Sequence, residues 1–346
     1  MSNTSTNSID LTAKPLVTMS GHEGTVLGIA YLPEGKKVVT CSRDRTIRVW
    51  DAESGEQEGT SMEHEGRIRG IAVTKDGKKV LSGCRKNGMK VWDVETHELI
   101  EEWENHTGGD MWCIAMSPDD QLAASGDTSG EIVIREMNEG GQIKHSIGTG
   151  MTVYSLCFSP NGEKLACAVN NPAGEVDLGI YAIHVYDVES GELILGPIIG
   201  HEYTINCVLW SFDGTRLFLA SDDDTIRCWN SGTGESIGEP WKGHTDSVTS
   251  FSLSPDGTKL ASASYDTTVR FWDARSGDPI GHPLQHDNLV YAVTFSPSGE
   301  FVTSGGFNDK VSIWRVPWWD DSHKEVITRF THFLTPFLTV FITAAT

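Results

Sequence analysis

The chain has 346 residues, with 48 Asp plus Glu against 27 Lys plus Arg and a formal charge of −21. A field of that sign repels polyphosphate and argues against direct nucleic-acid or anionic-membrane binding. A content of 36 Gly and 11 Trp points to many tight turns and a recurrent aromatic, and no run of about 18 apolar residues is present to span a bilayer.

Residues 1–12 are polar without an apolar signal core, and are predicted to be a disordered tail. Seven cysteines, an odd count without close pairs, place the chain in a reducing compartment, cytoplasmic and/or nuclear. The first extended segment is Pro15-Leu16-Val17-Thr18-Met19. Beyond it, tight-turn segments recur at Pro33-Glu34-Gly35, Lys75-Asp76-Gly77, Pro118-Asp119-Asp120, Pro160-Asn161-Gly162, Phe212-Asp213-Gly214, Pro255-Asp256-Gly257 and Pro297-Ser298-Gly299, roughly every 42 residues apart from one longer interval. Each is flanked by short apolar runs, such as Gly28-Ile29-Ala30-Tyr31 and Val38-Val39-Thr40, which read as a hairpin. Two further short strands complete each unit. The third ends in Trp50-Asp51, Trp92-Asp93, Trp229-Asn230, Trp272-Asp273 or Trp314-Arg315, and a Gly-His step opens three units at Gly21-His22, Gly200-His201 and Gly243-His244. The longer interval comes from residues 170–179 of the fourth unit, read as a surface insertion. After Trp314 an atypical tail, 317–346, holds a second candidate strand at Glu325–Arg329 and an apolar stretch broken by Pro336.

These steps resemble the WD-repeat (WD40-type) family over roughly residues 15–315. The resemblance implies an all-β, seven-bladed β-propeller of four-stranded antiparallel blades over residues 13–316, closed by the N-terminal strand. The physics agrees, since one four-stranded unit buries too little alone and must stack radially. The resemblance also assigns His22, Ser42, Asp44 and Trp50 in blade one, His201, Ser221, Asp223 and Trp229 in blade five, and His244, Ser264, Asp266 and Trp272 in blade six to buried structural tetrads. Ser, His and Asp are also the residue types of a hydrolase triad, but their threefold recurrence beside a Trp favours the structural role. Blade two departs through Cys84 and Lys86, blade three through Asp127, Ser129 and Arg135, blade four through Tyr186, and blade seven through Gly306 and Asn308.

Carrying over the family's exposed rim positions gives a candidate top-face surface of Leu27, Arg43, Arg67, Arg69, Arg85, Trp112, Tyr154, Tyr265, Tyr291 and Phe307. Arginine and aromatic side chains are the types that dominate binding hot spots. The implied function is a non-catalytic protein-interaction scaffold, a subunit or adaptor of a larger complex, whose protein or peptide partner is acidic or phosphorylated. No metal or cofactor is expected. Two rivals are a propeller-type hydrolase or lactonase, which needs acid, base or metal-binding groups at the axis, and a nucleic-acid binder using the arginine sector. The small inner-strand residues Gly28, Gly70, Cys113, Ser155, Cys207, Ser250 and Ala292 do not supply the first, and the net charge opposes the second.

Overall fold

The repeated hairpins form antiparallel sheets that follow one another around a ring, in a computed structural model that describes residues 13–84, 88–104, 109–170 and 180–319. Blade one consists of Val26–Tyr31, Lys37–Ser42, Thr46–Asp51 and Gln57–Glu63 from axis to rim. Blade two runs from Ile68–Val73 to Leu99–Trp103, blade three from Met111–Met116 to Ile143–Gly148, and blade four from Thr152–Phe158 to Leu193–Ile199. Blade five begins at Ile205–Trp210 and blade six runs from Val248–Leu253 to Leu284–Gln285. Blade seven holds Val290–Phe295, Phe301–Gly306 and Lys310–Arg315. The architecture is the expected seven-bladed propeller. Inner strands such as Val26–Tyr31 are buried at every position, because neighbouring blades cover both of their faces.

Blade seven takes its outer strand from the other end of the chain. Val17–Ser20 pairs antiparallel with Lys310–Arg315, Val17 opposite Ile313 and Met19 opposite Val311. The expected N-terminal closure is therefore what forms, while the competing segment Glu325–Arg329 lies outside the described residues, as do residues 1–12 and the insertion at 171–179. Blade five is the least regular. Its outer position is joined to Ile226–Asn230 only through the isolated bridges Ile226 to Trp241 and Trp229 to Ser236, with Gly238 at φ 71 and Pro240 between them. A proline has no N–H to give to a ladder, so the strand breaks there.

Adjacent blades are latched through glycines in left-handed turns. A Cβ on Gly277 (φ 80) would lie 2.1 Å from the Trp241 indole nitrogen, and one on Gly55 (φ 76) would lie 2.8 Å from Val17. In both places the outer strand of one blade packs directly on the turn of the next, so the seam needs a residue without a side chain.

Candidate functional site

Every inner strand carries one β-bulge close to its start. The ladder skips a residue between Val26 and Gly28, Ile68 and Gly70, Met111 and Cys113, Val153 and Ser155, Ile205 and Cys207, Val248 and Ser250, and Val290 and Ala292. A bulged residue has no cross-strand partner, and the local kink re-aims its side chain. The seven skipped residues are Leu27, Arg69, Trp112, Tyr154, Asn206, Thr249 and Tyr291, one per blade at the same end of the ring. Repeated bulges thus build the mouth of the central channel.

Side chains at this mouth touch in sequence around it. The Arg69 guanidinium is buried and lies 3.6 Å from the centre of the Trp112 ring, and Trp112 in turn packs on Tyr154 at 5.2 Å. On the opposite arc Tyr265 packs on Tyr291 at 4.9 Å, and Arg43 stands over Tyr291 at 5.7 Å. Such contacts combine stacking with cation–π attraction and fix the guanidinium planes. Blade five interrupts the aromatic run with Asp222, whose carboxylate accepts a hydrogen bond from Asn206 Nδ2 at 2.7 Å. Burial, with Asp246 adding to it, pushes the Asp222 carboxyl above the usual carboxylate range against that hydrogen bond. Burial also raises the phenols of Tyr154 and Tyr265, and for both the Asp222 charge acts in the same direction. Asn206 and Thr249 close the ring by donating to the carbonyls of Val248 (3.0 Å) and Val290 (3.0 Å) in the next blade.

The rim residues expected from sequence separate into four groups. Arg43, Arg69, Trp112, Tyr154, Tyr265 and Tyr291 are brought together as described. Arg67 and Phe307 are exposed, Phe307 at 49%, and Arg85 lies outside the described residues. Leu27 departs from the expected exposure: at 1% it is buried in one hydrophobic cluster with Tyr291, itself buried, as Arg69 is. Asp222, one residue before the tetrad acid Asp223, holds in blade five the rim position that Arg43 and Tyr265 hold in theirs, and joins the site although the expected surface did not include it.

The tetrads are structural, but their hydroxyl is not the expected one. In blade one Trp50 Nε1 donates to Thr40 Oγ1 (2.8 Å), Thr40 Oγ1 lies 2.7 Å from His22 Nε2, and His22 Nδ1 lies 2.7 Å from Asp44. The Thr40 proton goes to Nε2, so Nδ1 carries the imidazole proton toward Asp44. Blade six repeats the chain through Ser262, with Trp272 at 2.8 Å and His244 at 2.7 Å. Ser42 and Ser264 sit on the same strand face one pleat further on and donate instead to the carbonyls of Gly24 (2.7 Å) and Asp246 (2.9 Å). Ser221 does the same with Tyr203, 3.2 Å. In blade five Leu219 takes the hydroxyl's place, so His201 binds Asp223 at 2.6 Å while its Nε2 meets no partner among the described residues. Blades two and seven, expected to lack the network, retain most of it: Ser82 joins His64 (2.6 Å) to Trp92 (2.8 Å), and Ser304 joins His286 (3.2 Å) to Trp314 (3.0 Å). Only the acid is missing from those two.

Ser42, Ser221 and Ser264 therefore each bond a backbone carbonyl and not the imidazole, which is not the nucleophile–base contact that hydrolysis requires. Ser262→Ala should cost about 1 to 3 kcal/mol, because it strands a buried indole N–H and an imidazole nitrogen, whereas Ser264→Ala should cost less. Urea melts of the two variants check this, and the reverse order would restore Ser264 to the tetrad. All seven cysteines are reduced and buried, and burial raises thiols such as Cys157 and Cys207 to about 12, so these are packing residues. Among the described residues no three His, Cys, Asp or Glu side chains are grouped to hold a metal ion.

Comparison with known proteins adds a sequence dimension. The family described as WD domain, G-beta repeat matches residues 13–51, 55–93, 97–134, 194–230, 234–273 and 277–315. Each matched stretch runs from one blade's outer segment into the inner three strands of the next, and the unmatched gap 135–193 holds the outer strand of blade three and the inner three strands of blade four. The chain is similar to small ribosomal subunit protein RACK1z of Oryza sativa subsp. japonica, 33% identical over 130 residues, which is 36% of this chain and 35% of that protein. It is also similar to small ribosomal subunit protein RACK1 of Medicago sativa, 33% identical over 127 residues, or 34% of this chain and 38% of that protein. A third relative is small ribosomal subunit protein RACK1z of Arabidopsis thaliana, 29% identical over 145 residues, or 37% of this chain and 41% of that protein. The matches span less than half the length of each of these relatives.

Proposed function

The chain belongs to the WD domain, G-beta repeat family, and from that premise we propose that it is a non-catalytic scaffold whose channel mouth receives a peptide segment of a protein partner within a larger complex. One observation carries this reading: Arg69 stacked on Trp112 at 3.6 Å and Arg43 over Tyr291 at 5.7 Å, beside the exposed Arg67. Guanidinium groups held on aromatic rings lose little further entropy when a carboxylate or phosphate docks, and their fork suits either group. Phe307, exposed beside them, supplies an apolar contact. The segment recognised is accordingly acidic or phosphorylated and carries an apolar anchor.

The relatives named as small ribosomal subunit proteins favour a cytoplasmic assembly as the setting. With a net charge of −21, attachment to such an assembly would run through protein and not through RNA.

Affinity purification with mass spectrometry tests the proposal. Arg67→Glu with Arg69→Glu should remove the main partner, since two lost charge-assisted bonds weaken binding by about a hundredfold or more. Arg43→Ala, which disturbs less buried surface, should weaken it in the same direction, and circular dichroism establishes that the variants stay folded. Reversing Glu53 and Glu56, exposed on a connection between strands, should leave the partner in place. Retention of the same partners by both double variants would overturn the top-face assignment.

A further inference from the structure

The mouth has two electrical poles. Arg43 and Arg69 come from the adjacent blades one and two, and Asp222 comes from blade five, across the ring. An aromatic side chain stands between the poles on each arc. Tyr154 feels both Arg69 and Asp222, and Tyr265 feels both Arg43 and Asp222. Asp222 accepts a hydrogen bond from the neutral donor Asn206 Nδ2 at 2.7 Å, burial and then the charge of Asp246 raise its carboxyl, and among the described residues it joins no ion pair. Asp224 beside it is in turn repelled by Asp246, Asp223, Asp222 and Asp266. The half of the mouth formed by blades five and six thus holds a half-buried carboxylate that, among the described residues, is met by a neutral donor and by no cation.

Two consequences follow for a ligand. A purely acidic segment that reached across the channel toward Asp222 would meet like charge, which electrostatic complementarity disfavours. A cationic side chain arriving there would gain a charge-assisted hydrogen bond and relieve the repulsion among the aspartates. The Trp112 indole nitrogen, on the arc between Arg69 and Tyr154, is buried and meets no acceptor among the described residues.

We propose that the mouth is a two-pole site for a dipolar peptide segment, in which a Lys or Arg side chain is received at Asp222 between Tyr154 and Tyr265 while a carboxylate or phosphate a few residues away meets Arg43 and Arg69. The inference rests on the top-face reading above and adds to it the requirement for a cation. It also explains why opposite charges persist at one opening of a chain whose net charge is −21.

The test is a display selection of random 12-residue peptides on the full chain, with the recovered sequences resynthesised, fluorescently labelled and titrated by anisotropy. The expected peptides pair an acidic with a basic residue. Asp222→Asn keeps the shape and the Asn206 contact and should weaken them about tenfold or more, as should replacing the peptide's own basic residue by Met. Tyr154→Leu gives an independent second loss, and thermal melts of each variant separate binding from folding. Acidic peptides without a basic residue, bound equally by wild type and Asp222→Asn but lost with Arg43→Ala, would overturn the two-pole inference and leave the arginine reading standing. Peptides indifferent to both poles, or no recovered peptide at all, would overturn both.

Discussion

Removing residues 1–20 should aggregate or unfold the protein at temperatures that a form lacking residues 320–346 withstands. Val17–Ser20 is the outer strand of blade seven, and without it Lys310–Arg315 becomes an unpaired edge carrying the buried side chains Val311 and Ile313. An exposed apolar edge is a template for pairing with other chains. Met19 is 1% exposed and packs with Trp50, Val311 and Ile313, so its loss alone would cost about 2 to 5 kcal/mol. Val17 also packs on Gly55 of blade one, and the deletion therefore opens the sheet and the seam to the next blade together. Against a total stability of about 5 to 15 kcal/mol this is decisive. Thermal melts with light scattering measure it. If the form lacking 320–346 melted first, a C-terminal segment would be carrying the closure.

The second large effect is acid sensitivity arising in the two tetrads that lack an acid. Burial, with Lys90 adding to it, holds His64 down at about 3, and burial holds His286 at about 4 against the opposing charge of Asp287. His244 is also lowered by burial, but Asp266 opposes the shift. Unfolded histidines titrate near 6.5, so below that pH the unfolded chain binds protons that the folded rings refuse. Stability is full above about pH 6.5 and falls by about 1.4 kcal/mol per pH unit for each ring as pH drops toward the folded values. By pH 4.5 the two rings together withdraw on the order of 5 kcal/mol. The carboxylates act later. Burial would raise Asp44 and Asp266, but hydrogen bonds and charge from His22 and His244 outweigh it and hold both well below the ordinary range. Their contribution is present above about pH 3.9 and is lost as pH falls further. Urea midpoints measured from pH 7 to 4.5 should fall steeply in the wild type. They should fall much less in His64→Gln with His286→Gln, which starts from lower stability, and an unchanged slope in that variant would refute the assignment.

The blades were legible because they rest on local rules. Glycine-bearing turns at a fixed spacing and two-residue alternation make strands wherever they occur, and blade four shows how far this reaches. Tyr186 stands where five other blades have Trp, and the family pattern does not match it, yet Thr152–Phe158 and Lys164–Asn170 are buried like their counterparts elsewhere. Burial on both faces needs the period, not the signature residues. The closing strand was legible for the same reason, since Val17 and Met19 alternate toward the core.

What stayed hidden depends on register and on neighbours distant in sequence. Thr40 and Ser42 lie on one face of one strand, and their residue types cannot say which hydroxyl reaches the indole. Pairing places Ser42 opposite Val26 and leaves Thr40 one pleat deeper, level with His22 and Trp50. Leu27 and Arg69 occupy the same bulge position in successive blades, but one is sealed against Tyr291 while the other lies on Trp112. Asp222 shows its place at the mouth only when the bulged Asn206 donates to it at 2.7 Å. The sequence by itself determined the strands, their number and their stacking into a ring, because hydrophobic period and turn chemistry act over a few residues. Only the tertiary structure decided which side chains meet at the mouth and which hydroxyl completes each tetrad, because bulges re-aim side chains and a shift of one pleat changes every partner.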